Sequence, residues 1–334
     1  MSGGNTEAVR EAGQRAGYVA LVGRPNVGKS TLLNTLIGEK LSIVTARAQT
    51  TRQPILGIYT TDQVQIIFVD TPGLLEPAYL LQQSMLQAAL TAIHDADLVL
   101  LLLDATRPDE LPAGDALDLL RERRATLFVA INKIDAAPAE AVERLAAWSR
   151  DTLGIEAHRI SAATGQGVGE LRDTLAEALP ASPFFYPADE IATQPVRFFV
   201  AELIRETIFE QYREEIPYSV AVTIAEFREA EEPVYIRANI HVERDSQKSI
   251  LIGRGGAAIR NLGSVARQKI EAFIGSRVYL DLWVKVEPGW RRRAPVLRRL
   301  GYPVPEPTPA SPQRPGNGAG RRSAGRSRTS SQGT

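Results

Sequence analysis

Cysteine is absent from this 334-residue chain. That excludes a disulfide framework and any thiolate-held metal, and a reducing compartment is the simplest setting for it. Histidine occurs three times, at His94, His158 and His241, isolated and without metal-site spacing. The most apolar run, residues 98–103, falls far short of the roughly 20 residues that span a bilayer. The first residues, Ser2, Gly3, Gly4 and Asn5 followed by mixed charges, hold no apolar signal-peptide core, so a cytoplasmic location is expected. Lysine is scarce as well: it stands only at 29, 40, 133, 248, 269 and 285.

With 44% hydrophobic and 23% charged residues, the chain has the composition of an ordinary globular protein, long enough for two cores. Its net charge of zero hides a division. Residues 1–243 carry 21 basic and 34 acidic residues, a net of −13, and residues 244–334 carry 18 and 5, a net of +13. The positive C-terminal segment points to a polyanionic partner, nucleic acid before a merely solvated tail.

Residues 1–16 read as a mobile arm and residues 17–180 as an α/β domain, a doubly wound sheet with helices on both faces. Strands are expected at 18–22, 64–69, 98–103, 126–131 and 158–160, and helices at 29–37, 84–94, 114–124, 139–153 and 167–179. Residues 54–59 can pair with 64–69 as a hairpin. Four prolines between 180 and 195 mark 181–195 as a linker. Residues 196–302 read as a smaller α+β domain: a helix at 196–213, strands at 218–227 and 234–242, helices at 246–252 and 257–274, and a strand at 278–286. The Pro, Gly, Ser and Arg content of 303–334 predicts disorder.

Gly23-Arg24-Pro25-Asn26-Val27-Gly28-Lys29-Ser30 matches the phosphate-loop pattern between an expected strand and helix. Its backbone N–H groups can cradle phosphate, Lys29 can reach the β- and γ-phosphates, and Ser30 can give Mg²⁺ an oxygen, with Thr31 next in the helix. Asp70-Thr71-Pro72-Gly73 ends a strand, where Asp70 can hold Mg²⁺ through a water and the Gly73 amide can sense the γ-phosphate. Asn132-Lys133-Ile134-Asp135 reads guanine, because the Asp135 carboxylate accepts the adjacent N1–H and N2–H₂ donors that adenine lacks. Ser161-Ala162-Ala163 offers a backbone N–H to guanine O6. Either Thr50 or Thr51 closes over Mg²⁺ and the γ-phosphate, with Thr51 preferred. Lys29, Thr51 and Gly73 form the expected catalytic set for cleaving GTP to GDP. Leu74 stands where many GTPases carry a water-orienting glutamine, which predicts slow intrinsic turnover. The Asn26 side-chain oxygen can bind K⁺ and so stimulate it.

The order helix, strand, strand, helix, helix, strand, with Gly253-Arg254-Gly255-Gly256 between the paired helices, is that of a type II K-homology (KH) domain. The glycines permit close approach of a sugar-phosphate backbone, Lys248 and Arg254 add charge, and Ile252 and Ile259 floor a groove for about four single-stranded nucleotides. Tyr279 and Trp283 alternate in a strand and are expected to pack in the core or at an edge. The arginines at 291–293, 298 and 299 either touch phosphates or form a solvated run.

With these segments in place, the chain resembles the Era family of bacterial ribosome-assembly GTPases from about residue 18 to 302. The likeness rests on residues 23–30, Ala48-Gln49-Thr50-Thr51-Arg52, Asp70-Thr71-Pro72-Gly73-Leu74 and Asn132-Lys133-Ile134-Asp135. It continues through Glu215-Ile216-Pro217-Tyr218-Ser219-Val220, Val242-Glu243-Arg244, Leu282-Trp283-Val284-Lys285-Val286 and Gly289-Trp290. The resemblance implies binding near the 3′ end of 16S ribosomal RNA, action in maturation of the small (30S) subunit, and a peripheral association with the inner membrane; a monomer is expected. Two other readings remain open here. One is a GTP-dependent RNA chaperone with negligible turnover. The other is a related GTPase of tRNA modification, against which the missing cysteine argues.

Overall fold

The computed structural model describes residues 13–45, 47 and 49–304. Most of the expected N-terminal arm, nearly all of the expected disordered tail, and Ala48 lie outside the described residues. Strand β1 (Arg15–Val22) begins three residues earlier than expected and takes the end of the supposed arm into the sheet. The elements then run α1 (Lys29–Ile37), β2 (Ile55–Thr60), β3 (Val64–Asp70), α2 (Leu80–Asp95), β4 (Leu98–Asp104) and α3 (Asp115–Glu122). They continue as β5 (Leu127–Asn132), α4 (Ala139–Trp148, prolonged by a wider turn over Ser149–Leu153), β6 (His158–Arg159) and α5 (Val168–Ala178). The sheet order is β2-β3-β1-β4-β5-β6, with β2 antiparallel to β3 and the other pairs parallel.

The run Leu98–Leu103 is apolar at every position because both faces of β4 are covered. Leu98, Leu100 and Leu102 pack with Leu32 and Leu33 of α1 and Leu171 and Leu175 of α5. Val99, Leu101 and Leu103 pack with Ile93 of α2, Leu120 of α3 and Leu145 of α4. The phosphate loop therefore springs from a central strand, β1, held on both faces.

The second domain comprises α6 (Val196–Gln211), α7 (Ile216–Ser219), β7 (Ala221–Arg228), β8 (Val234–Val242), α8 (Asp245–Ile252), α9 (Ala257–Ile274) and β9 (Val278–Val286), followed by α10 (Ala294–Arg299). Its sheet order is β7-β8-β9, with β7 antiparallel and β9 parallel to β8. A parallel pair needs a crossover, and α8, the glycine turn and α9 supply it. One sheet face packs on these helices through Val234, Ile236, Ala238, Ile240 and Val242.

Some elements differ from expectation. Residues 218–220 are not strand: Pro217 opens a single helical turn closed by the Ser219 amide on the Glu215 carbonyl (3.0 Å). Helix α2 starts four residues early, where Gln82 Oε1 accepts the Ala78 amide (2.7 Å). The proline-rich stretch 181–195 is a strap bonded to the sheet. Ile58 of edge strand β2 donates to the Ile191 carbonyl (2.9 Å), and Phe185 stacks on Tyr18 at 5.6 Å. Buried Gln65 accepts the Phe185 and Tyr186 amides (2.8 and 3.0 Å) and donates to the Tyr186 carbonyl (2.8 Å).

Replacing Gln65 by Leu leaves those two amides and the carbonyl without partners. Each buried polar group left unpaired costs about 1–3 kcal/mol. Gln65→Leu is therefore expected to lose ~2–4 kcal/mol in urea denaturation. A loss no larger than that of an exposed substitution would show that the strap is not held there.

Candidate functional site

The phosphate loop folds as its sequence requires. Gly28 has φ 103°, and a Cβ on it would meet Asn132 Nδ2 at 2.3 Å, so glycine is the residue that fits. A Cβ on Gly73 would meet the Pro25 nitrogen at 2.7 Å, and the Leu74 amide donates to the Gly23 carbonyl (3.0 Å). The segment after β3 is thereby pressed against the phosphate loop. Between them opens a cavity of about 350 Å³ lined by Pro25, Asn26, Gly28, Lys29, Ser30, Thr31, Thr51, Gly73 and Lys133. Ile43, Val44, Thr45, Gln49, Thr50 and Arg107 also line it, and Ile43, Val44, Thr45 and Arg107 belong to none of the nucleotide motifs. Arg107 follows the carboxyl end of β4, where ligands of an open α/β sheet gather, and that position was its signal.

Lys29 is buried, with Nζ donating to the Gly23 and Arg24 carbonyls (3.1 and 3.0 Å). Burial pushes its pKa down to about 8, and nearby Asp70 opposes the shift. Asp70 is buried too, and desolvation raises its pKa against Lys29 and three hydroxyls. Its Oδ2 accepts Ser30 Oγ (2.7 Å), Ser42 Oγ (3.0 Å) and Thr51 Oγ1 (3.1 Å), while Oδ1 is buried without a partner. Ser30 Oγ and Thr51 Oγ1 lie 2.9 Å apart. Two hydroxyls beside an unsatisfied carboxylate oxygen form a hard-oxygen donor set that suits Mg²⁺. Thr50 also lines the cavity, but its hydroxyl donates to the Arg47 carbonyl (2.8 Å) rather than to Asp70.

At the far end, Asn132 joins two loops: Nδ2 donates to the Val27 carbonyl (2.8 Å) and Oδ1 accepts the Ala162 amide (2.9 Å). Lys133, at φ 64°, donates from Nζ to the Asn26 carbonyl (2.7 Å) and Asp104 Oδ2 (2.6 Å). Ile134 and Asp135 form a single turn after β5, with Asp135 exposed. Buried Ser161 accepts the Thr164 amide on Oγ (3.2 Å), and exposed Ala163 follows. The phosphate loop, Gly73 and Lys133 thus line one cavity, and Asn132 ties the Ser161-Ala162-Ala163 loop to the phosphate loop beside it.

The segment that carries Thr51 is gripped by the second domain. Arg52, only 4% exposed, donates to the carbonyls of Val220 (2.5 Å), Pro217 (3.0 Å) and Tyr218 (3.2 Å), and lies over the Trp290 ring. Arg205 of α6 donates to the Thr50 carbonyl. Leu81 and Met85 of α2, just beyond Gly73, pack with Trp290, Leu297, Leu300 and Tyr302. Lys40 and Lys269 converge on buried Glu206 at 2.8 and 2.9 Å, one from each domain.

On the second domain, Gly253, Gly255 and Gly256 all have positive φ, and a Cβ on Gly253 would meet Ala258 Cβ at 2.6 Å. Arg254 is exposed and Lys248 half-buried. Half-buried Ile252 and Ile259, and Leu280 and Leu282 of β9, all pack against the core of the second domain, so apolar side chains flank that core both at the glycine turn and along that strand. Tyr279 and Trp283 do not pack in the core. They are 59% and 55% exposed on the outer sheet face, because they share strand parity with Asp281 and Lys285.

Comparison with known proteins follows this division. A family model described as 50S ribosome-binding GTPase matches residues 18–133, and a KH domain model matches 215–291. The GTPase Era of Leuconostoc citreum is 43% identical over 292 residues, covering 86% of this chain and 96% of that protein. The GTPase Era of Thermotoga maritima is 45% identical over 287 residues, covering 84% and 94%. A point variant of Aquifex aeolicus Era bound to GDP·AlF4− superposes with a TM-score of 0.80 at 38% identity, covering 87% of this chain and 100% of that one. An Era in complex with MgGDPNP and nucleotides 1506–1542 of 16S ribosomal RNA gives a TM-score of 0.80 at 39% identity, with the same coverage.

The lowered Lys29 pKa has a thermodynamic consequence. Above about pH 8 the free protein sheds the Lys29 proton, whereas a bound triphosphate holds it on. Nucleotide binding therefore takes up protons just above that pH, and affinity falls as pH rises through it. Calorimetry in two buffers of different ionisation enthalpy, half a unit above the Lys29 pKa, is expected to show uptake. Proton release or none would show that bound phosphate does not hold the Lys29 proton on.

Proposed function

The chain belongs to the Era family of GTPases, and from that premise we propose that it is a GTP-hydrolysing switch that binds 16S ribosomal RNA near its 3′ end and assists maturation of the 30S subunit. The observation that carries this reading is the double grip of the second domain, on Arg52 beside Thr51 and on α2 beyond Gly73. A nucleotide-sensing segment fastened to an RNA-binding module can turn phosphate occupancy into RNA affinity.

Each residue has a role in the proposal. Asp135 accepts guanine N1–H and N2–H₂, and the Ala163 amide serves O6, since Asn132 already takes the Ala162 amide. Asn132 and Lys133 fix the base loop to the phosphate loop, so base recognition and phosphate binding share one rigid frame. Ser30 and Thr51 hold Mg²⁺ directly and Asp70 holds it through a water. The ion, when bound, neutralises charge on the phosphate oxygens. Lys29 contacts the β- and γ-phosphates, and the Gly73 amide bonds the γ-phosphate until hydrolysis removes it.

Leu74 cannot orient water, so turnover is slow unless K⁺ at the Asn26 side-chain oxygen, or a partner, assists. The same feature favours a second reading, an RNA chaperone with negligible turnover. Both sites are complete within one chain, which supports a monomer. The positive charge of residues 244–334 suits RNA and also a peripheral contact with an anionic inner membrane, the bulk of the chain remaining cytoplasmic. No helix among the described residues is long and apolar enough to cross a membrane.

GTP turnover, measured in K⁺ and in Na⁺ buffers with and without an RNA copying the 16S 3′ end, tests the proposal. Stimulation by RNA is expected, lost in Gly255→Asp, and a K⁺ advantage is expected, lost in Asn26→Gly. RNA binding without any measurable turnover would favour the chaperone, and a K⁺ advantage equal in Asn26→Gly would remove the K⁺ site.

A further inference from the structure

The outer face of the KH sheet is unused by the proposed switch, and its chemistry is specific. Along β9 the outward row reads Tyr279, Asp281, Trp283, Lys285, with exposed Arg277 just before the strand, so two cations bracket two exposed aromatic rings. The rings are held in place. Tyr279 stacks on Tyr235 of β8 at 5.8 Å and 12°, and Arg228 of β7 lies 4.7 Å over the other side of Tyr235. This Arg228–Tyr235–Tyr279 stack ends at an open face, because β9 is the edge strand and no element among the described residues continues it. Trp283 Nε1 donates to Asp281 Oδ2 (2.9 Å), which also accepts Arg237 Nε (3.1 Å). The carboxylates of this face are occupied by arginines: Asp281 by Arg237, Glu226 by Arg237 and Arg228, and Glu231 by Arg228.

We propose that this row is a second RNA contact, a platform on which bases of a single strand leaving the glycine-turn groove stack. The idea rests on the reading of that groove as an RNA site. Three observations select the ligand. Planar bases stack on fixed aromatic rings, as on the sheets of other RNA-binding modules. Tyr279 and Trp283 stand about 13 Å apart along the strand, a span of extended nucleotides between two cations that can meet phosphates. Leu280 and Leu282, which pack against the same core as Ile252 and Ile259, alternate on this strand with the two rings, so a chain that leaves the groove over the edge of β9 meets them. A groove filled by roughly four nucleotides leaves a longer strand needing such a surface.

The test uses the full chain with Mg²⁺ and a non-hydrolysable GTP analogue, measuring anisotropy of two labelled RNAs. One is about four nucleotides long and fills the groove; the other, copying the 16S 3′ end, is about three times longer. Tyr279→Ala with Trp283→Ala is expected to weaken the longer RNA by roughly 10-fold or more and leave the short one unchanged. Tyr279→Phe with Trp283→Phe, which keeps the rings, is expected to retain the affinity. Only the longer RNA should quench the Trp283 fluorescence. Equal affinity of the alanine variant for the longer RNA, with Gly255→Asp still abolishing binding, overturns the platform and spares the groove. Failure of Gly255→Asp to weaken either RNA overturns the groove reading itself. Quenching by an arginine-rich peptide but not by RNA would assign the face to a basic protein and likewise overturn the proposal.

Discussion

The arrangement depends on a guanidinium buried where two domains meet. Arg52 sits among the carbonyl oxygens of Pro217, Tyr218 and Val220 and over Trp290, and burial lowers its pKa from the ordinary arginine value. A buried charge is stable only while all its hydrogen bonds are made. Small displacements of the second domain would break several of them together. Because Thr51 is the preceding residue, the position of its hydroxyl beside Asp70 and Ser30 is tied to the position of the KH domain.

The two ends of this link carry complementary stresses. Asp70 is buried, with one oxygen crowded by three hydroxyls and the other unsatisfied, so the phosphate site keeps an unused anionic acceptor beside the cationic Lys29. A divalent ion and a nucleotide phosphate complete it. At the other end, Glu206 is held below the usual carboxylate range, its burial outweighed by hydrogen bonds from Lys40 and Lys269, and it joins the domains by charge. Polar interactions of this kind switch between discrete arrangements, which suits the proposed switch.

What the sequence disclosed follows from how local each signal is. Phosphate and guanine recognition use contiguous residues, so the loops at 23–30, 70–73, 132–135 and 161–163 could be read before any fold was known, and Leu98–Leu103 announced a strand buried on both faces. Arg52 could not be read this way. It is one arginine in a polar stretch, and its partners lie over 160 residues away. The strap at 181–195 was hidden by its prolines, since the bonds that fix it come from Gln65 and Ile58 in the sheet. For Tyr279 and Trp283 the core and edge readings stayed open although a signal favoured the edge, where they stand: they alternate with Val278, Leu280, Leu282 and Val284, and share their face with Asp281 and Lys285. Whether an aromatic row is covered depends on which elements pack on a sheet, and that is settled by topology.

Reciprocal binding tests the central claim most directly. RNA affinity would be measured with a GTP analogue and with GDP, and affinity for each nucleotide with and without RNA, in the unaltered chain and in Arg52→Lys, whose ammonium cannot span three carbonyls. Linkage requires the two coupling factors to be equal. The account predicts tighter RNA binding with the GTP analogue, the same ratio in the reciprocal experiment, and a ratio near one in Arg52→Lys with intrinsic nucleotide binding kept. Coupling undiminished in Arg52→Lys would contradict it.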